Sequence, residues 1–330
     1  MLILGEYFLY LEKNNVMIKK LIHLLFKRNY VHNVISNNYV SSNDEVMNET
    51  CLLLQAKNNI TLNQNKFPTS QSNNRLSDLE FKVFSQFGDD GIINWLINYL
   101  DIDTKKFVEF GVTDYRESNT RFLLMNDNWD GLVMDGSKEA VNTIINSHYY
   151  WKHNLIAKEL WVTKDNINEF IHENGFSGEI GLLHIDIDGN DYWIYKELVD
   201  VNPVIFIAEY NSVFELNPWT IPYDPSFYRT SAHFSNLYWG VGIKPIYDLA
   251  MGRGYSFIGC NSAGNNAYFV RNDKMKDLKS ISLGDGFVNS KYRESRNEQG
   301  DLTFVSYIER LKVIQGLPVY NTIKNEIELL

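Results

Sequence analysis

"IGLLHIDIDGNDYWIYKELVDVNPVIFIAEY", residues 180–210, decides the fold. An apolar run ends in an acidic tip, "DIDGND" (186–191). A helix-length amphipathic stretch follows (190–200), then a second apolar run, "PVIFIAEY" (203–210). Strands apolar along their whole length and joined by a helix belong to a parallel sheet covered on both faces. The tip also carries a chemical question. Asp186, Asp188 and Asp191 crowd into six positions. Carboxylates so close repel, so a metal ion, a cationic ligand or open water must offset the repulsion.

The same texture extends outward. "KFVEFGV" (106–112), "GLVMDG" (131–136) and "NLIAKEL" (154–160) read as further strands, with "IGLLHIDID" (180–188) the fourth and "PVIFIAEY" the fifth. Helix-like stretches at 89–100, 119–127, 137–147 and 165–174 lie between them, and another is expected near 235–253. "YSFIGC" (255–260) and "NAYFVR" (266–271) are joined only by "NSAGNN", too short for a crossover helix, so they form an antiparallel pair. The sequence predicts an α/β, Rossmann-like sheet of parallel strands ending in an antiparallel hairpin, with helices on both faces. A sixth parallel strand would fit a dinucleotide dehydrogenase better.

The bulk numbers bound the function. The chain has 330 residues, 44% hydrophobic, enough for a large core. Forty-one acids against 31 bases give a net charge of −10, which excludes nucleic acid as an expected partner. Cys51 and Cys260 are the two cysteines, which fits neither a disulfide scaffold nor a structural zinc site and suits a reducing cytoplasm. Charged residues interrupt the N-terminal apolar patches before they reach the ~20 residues of a membrane span. Val16, Ile18, Leu21, Ile22, Leu24 and Leu25 follow a helical period instead, suited to packing on the domain or on a second subunit of a homodimer. Residues 1–75, rich in Asn and Ser from 32 onward, read as a partly helical N-terminal extension, and 76–330 as the catalytic domain.

In an open parallel sheet, ligands bind at the carboxyl ends of the strands. Those ends read Glu109-Phe-Gly111, Asp135-Gly136, Asp186-Ile-Asp188-Gly189 and Glu209-Tyr210-Asn211. The first lacks the G-x-G-x-x-G fingerprint and the Walker lysine. A pyrophosphate needs several N–H donors and no neighbouring anion, whereas a sulfonium cation tolerates acids. Asp135 can accept two ribose hydroxyls, a use that a nicotinamide cofactor shares. One glycine beside Glu109 favours S-adenosylmethionine.

"FSQFGDDGIINWLINYL" (84–100), "KKFVEFGVTDYRESNTRFLL" (105–124) and "WDGLVMDGS" (129–137) resemble class I S-adenosylmethionine-dependent methyltransferases. The likeness is nearest to the FkbM type and to bacterial enzymes of that outline found with surface (capsular) polysaccharide genes. "LLHIDIDGNDYWIYKEL" (182–198) is similar to their fourth-strand motif, and "IAEYNSVF" with "IPYDPSFYRTSAHFSNLYWG" to the segment after it. The resemblance covers about residues 79–275. It implies that Glu109, Gly111, Asp135 and Gly136 line the cofactor, with Asp114, Asn119, Ser137 and Asp186 beside them. Thr113-Asp114-Tyr115 replaces the usual second glycine, and Tyr115 is expected to crowd the methionine end.

Asp186, Asp188 and Glu209, on neighbouring strand tips, offer hard oxygen ligands for Mg2+ or another divalent cation. Macrocin and catechol O-methyltransferases use acids from these two strand ends for magnesium. Binding the cofactor amine, or capping the next helix, is the competing use of these acids. His184 reads as a core histidine. His233 is the expected base, with Asp186 and Asp188 as the other catalytic candidates. Residues 211–240, dense in aromatics and prolines, suit a lid over a sugar, with Tyr210, Asn211, Tyr223, Arg229 and Asn236 as substrate contacts and Asp224 beside them. The expected activity is O-methylation of a sugar hydroxyl on a nucleotide-activated or capsular sugar, for example a heptose. A D-x-D glycosyltransferase and a non-catalytic scaffold of the same fold remain open.

Overall fold

The structure is a computed structural model that describes residues 46–63 and 75–330. Two compact units divide at Gln55/Ala56. Residues 46–63 are helical (α1); the periodic segment Val16–Leu25 and much of the 1–75 extension lie outside the described residues. Among the described residues, no helix is long and apolar enough to cross a membrane.

Five parallel strands form where the apolar runs stand: β1 (Lys106–Phe110), β2 (Asp130–Asp135), β3 (Leu155–Glu159), β4 (Gly178–Ile185) and β5 (Val201–Glu209). A two-residue strand, β6 (Trp219–Thr220), follows in the lid segment. The hairpin β7 (Tyr255–Cys260) and β8 (Asn266–Arg271) closes the main sheet, whose order is β3-β2-β1-β4-β5-β8-β7. β8 pairs antiparallel with both β5 and β7. The Rossmann-like sheet with its antiparallel end is the one expected.

Alternation along the strands separates two cores. Phe107, Val133, Leu182 and Ile205 meet α2 (Asp89–Leu100), α3 (Arg121–Asp127) and α4 (Lys138–Ile145) on one face. Val108, Phe110, Leu183, Ile185 and Phe206 meet α5 (Ile167–Glu173), α6 (Asp191–Glu197) and α8 (Ile243–Gly252) on the other. Each fully buried side chain of this kind contributes about 1.5–3 kcal/mol, so the sheet is a firm base for its loops.

The lid segment, 211–240, contains β6 and α7 (Arg229–Ala232). It has a core of its own in Val213, Phe214, Ile221, Leu237 and Tyr238, closed by Ile314 and Val319 from the chain's end. There, after α9 (Leu283–Gly286) and α10 (Tyr307–Val313), strands β9 (Pro318–Asn321) and β10 (Glu326–Leu329) join β6 in a second sheet, β10-β9-β6. The expected helix over 235–253 is shorter and starts at Ile243. Gly240 has a φ of +63°, Val241 bridges Thr220 of β6 antiparallel, and Gly242 caps the helix from extended backbone, so the chain just before 243 is not helical.

Candidate functional site

A cleft of about 740 Å3 opens at the carboxyl ends of β1 to β4, within the range of sites for cofactor-sized ligands. Its floor is Gly111 and Asp186. One wall runs from Asp135 to Ala140, and another is Glu159–Val162 after β3. Ile187–Asn190 and the lid residues Phe227–Thr230 complete it.

Glycine is required where the loops close in. Gly111 has a φ of +70°, and a Cβ there would lie 1.7 Å from the Asp186 carbonyl oxygen. At Gly136 a Cβ would meet the Trp161 ring at 2.6 Å. Asp135 organises the rim between them. Its Oδ2 accepts from Thr113 N–H and its Oδ1 from Ser137 N–H, both at 2.8 Å. Each oxygen keeps a further lone-pair direction for a ligand hydroxyl. Ser137 caps α4, its hydroxyl accepting from Ala140 N–H.

Beneath this rim, Glu109 is buried and does not line the cleft. Its carboxylate accepts from Ser118 Oγ–H, the N–H groups of Asn119 (3.0 Å) and Thr120 (3.1 Å), and the Thr120 hydroxyl, and it pairs with His184 Nδ1 at 2.9 Å. Glu109 therefore shapes the first loop from below. Asn119 turns inward as well, its amide near His184 Nε2 at 3.2 Å. Asp114 accepts from Arg116 N–H at 3.1 Å and stands outside the cleft lining. Tyr115 does not crowd the cleft: with a φ of +63° it turns into the core, fully buried, its hydroxyl 2.9 Å from Thr120 Oγ1.

The acidic end is formed by Asp186, Asp188 and Glu209, each offering an oxygen within 4.8 Å of the others. Burial, then the Asp188 charge, pushes Asp186 up to about 7. Burial, then the Asp186 charge, raises Glu209 as well. Glu209 Oε2 is buried without a hydrogen-bond partner among the described residues. The third acid, Asp188, sits at a φ of +54° and receives Arg229 Nη1 at 2.5 Å. Asp191 is not part of this group: it accepts from Ile187 and Gly189 N–H at 2.9 Å and folds the tip back on α6.

The lid lies across this end. Trp161 Nε1–H donates to Pro225 O at 2.6 Å, and its ring stacks against Tyr228. Asn190 amide donates to Asp224 O at 2.7 Å while Asp224 N–H donates back to Asn190 Oδ1 at 3.3 Å. Of the expected substrate contacts, Arg229 lines the cleft. The others are used within the fold. Tyr210 is buried and donates to Val288 O, and Asn211 donates to Leu237 and Trp239 carbonyls. Tyr223 packs on Trp193, and Asn236 supports Arg229 by accepting its Nε–H at 3.3 Å. His233 is also outside the cleft lining; its Nδ1 is 2.8 Å from Ser235 Oγ, its ring lies on Phe234, and burial lowers its pKa. Among the cleft residues missed in the sequence are Thr113, Trp161 and Asn190. An aromatic directly after a strand end was the one legible signal among them.

No family model and no curated protein matches the chain. Among solved structures it is similar to the N-terminal domain of EvdMO1 with SAH bound, at 10% identity over 57% of this chain and 80% of that one, TM-score 0.37. It is also similar to the O-methyltransferase from Bacillus cereus in complex with SAH, at 14% over 67% and 91%, TM-score 0.34. The small RNA methyltransferase HEN1 aligns at 12% over 65% and 28%, TM-score 0.38. Likeness this distant decides nothing about activity.

Proposed function

We propose that the chain is an S-adenosylmethionine-dependent O-methyltransferase acting on a sugar hydroxyl, on a nucleotide-activated or capsular sugar. One observation carries the reading: Asp135 and Asp186 line a single cleft at the strand ends, closed on one side by an aromatic lid. Acids at both ends favour a ligand that is hydroxylated at one point and cationic at another.

The residues present fit such a donor. Asp135, with a lone pair free on each oxygen, suits ribose hydroxyls. Leu160, Trp161 and Val162 offer an apolar and aromatic wall for a purine. Gly111 and Gly136 keep the floor clear of side chains. The bound donor supplies an electrophilic methyl group; the chain's own task is to align the acceptor oxygen and remove its proton. Asp186, raised to about 7 and lining the cleft, is better placed for that than His233.

The acidic trio also fits a divalent cation by its donor chemistry, and the orphaned Glu209 Oε2 is the atom such an ion would satisfy. A bound ion would lower the pKa of a coordinated hydroxyl. On the lid wall, Phe227 and Tyr228 suit the C–H faces of a sugar, and Arg229 its polar groups. Titration calorimetry with S-adenosylhomocysteine tests the donor half, and methyl transfer from labelled donor to a panel of nucleotide sugars tests the acceptor half. Absence of binding at millimolar concentration overturns the proposal.

A further inference from the structure

Arg229 is bonded to Asp188, one of the three acids that could hold a cation. Its guanidinium donates to Asp188 at 2.5 Å, and its side chain is 19% exposed. The fit is prepared on every side. The guanidinium lies over the Trp239 ring at 4.5 Å, Nε–H donates to Asn236 O, and Glu294 waits at 3.9 Å as a second carboxylate. Of the three acids, Asp188 is the one the guanidinium bonds, and Glu209 Oε2 is buried with no hydrogen-bond partner among the described residues. A cation held by all three acids would share the Asp188 carboxylate with the guanidinium and face its positive charge across that one group.

We propose that Arg229 is a tethered counter-cation which excludes divalent ions from the Asp186–Asp188–Glu209 site, so that an ion enters only when the guanidinium leaves Asp188 for Glu294. The inference rests on the trio being a cation site, as proposed above. Because α7, which carries Arg229, belongs to the lid, ion entry and the lid's contact with Asp188 become alternatives. A positive charge a few ångströms from a bound divalent ion disfavours it strongly at a partly buried site, while a flexible ammonium keeps that charge.

Mn2+ binding by the full chain, followed by electron paramagnetic resonance, tests this in the wild type, R229Q and R229K. R229Q is expected to bind Mn2+ at least about tenfold tighter than the wild type, and R229K to stay within about threefold of it. An R229Q no tighter than the wild type overturns the inference. So does an R229K that gains as much as R229Q, since shape rather than charge would then be the obstacle. Should R229Q fail to fold, E294Q carries the test: without its second partner the guanidinium holds Asp188 longer, and Mn2+ binding weakens. Unchanged or tighter binding by E294Q overturns the inference. S-adenosylhomocysteine titrated in parallel separates the two readings, because its failure to bind strikes the methyl-donor proposal and leaves the Mn2+ result standing.

Discussion

Gly111 sits directly under the backbone carbonyl of Asp186: a Cβ on Gly111 would fall 1.7 Å from that oxygen. This contact joins the end of β1 to the tip of β4 and so sets the floor of the cleft. With a φ of +70°, the position also penalises any L side chain. Gly111→Ala is expected to cost about 2–3 kcal/mol in thermal or urea unfolding. It should also weaken S-adenosylhomocysteine binding by more than tenfold, because the displaced backbone is the ligand's floor. A variant with wild-type affinity and stability would mean that the loop relaxes freely and that this contact does not shape the site.

The Glu109–His184 pair makes stability depend on pH in a definite window. Burial alone would push Glu109 up, but the bond and charge of His184 and the Ser118 and Thr120 hydroxyls hold it below 4.5. For His184, burial alone would push it down, and Glu109 outweighs this and raises it above 6.5. A lowered carboxyl contributes stability that is complete above 4.5 and lost as pH falls through its folded value. A raised imidazole contributes stability that is complete below 6.5 and lost as pH rises through its folded value. The pair's contribution is therefore greatest between about 4.5 and 6.5. His184→Gln should flatten the alkaline limb of a stability–pH curve and lower the plateau by roughly 3 kcal/mol, the low end for a broken buried pair, since hydroxyls and amides still serve Glu109. An alkaline limb unchanged in this variant would show that His184 is neutral in the folded chain.

Much of this was legible in the sequence and some was not. The apolar runs of β4 and β5 gave their strands directly, because both faces are buried and the pattern is local. The acid tip "DID" was legible for the same reason. Glu109 was read as facing a ligand because its neighbours are decided at a distance: it stands in register with His184 on β4, and residues 118–120 fold back over it. Tyr115 was misread because a left-handed φ, which turns it inward, leaves no mark on residue type. The second sheet was missed because β9 and β10 are four residues each and half exposed, so their alternation is too brief to separate from a loop.

Asp89 ties the start of α2 to the hairpin turn. It is buried and accepts from the Tyr268 hydroxyl and from the amides of Asn261 (3.0 Å) and Asn266 (3.0 Å). Asn261 in turn accepts from Gly264, Asn265 and Asn266 N–H, so "NSAGNN" is a turn wound round one side chain. Asp89→Asn would turn the oxygen that accepts from the Asn261 amide at 3.2 Å into a donor facing that donor. It is expected to cost about 2–3 kcal/mol, and Tyr268→Phe about 1.5, in urea unfolding. Equal, near-zero effects would show that water satisfies this network.

Asn190 and Trp161 hold the lid from opposite sides of the cleft, and their substitution should separate lid closure from donor binding. Asn190 exchanges hydrogen bonds with the Asp224 backbone and touches the lid at one point. Asn190→Ala removes that clasp, worth about 1–2 kcal/mol. Amide exchange over 224–230 should accelerate by roughly the corresponding five- to thirtyfold, acceptor KM should rise, and S-adenosylhomocysteine affinity should hold. Trp161 both donates to Pro225 and packs on Gly136 in the donor wall. Trp161→Ala should therefore accelerate the same amides and weaken the donor analogue as well. Trp161→Phe, which keeps a ring beside Gly136 but loses the N–H, should behave like Asn190→Ala. If Asn190→Ala weakens the donor analogue as much as Trp161→Ala does, lid and donor wall move as one body and the acceptor end has no separate closure.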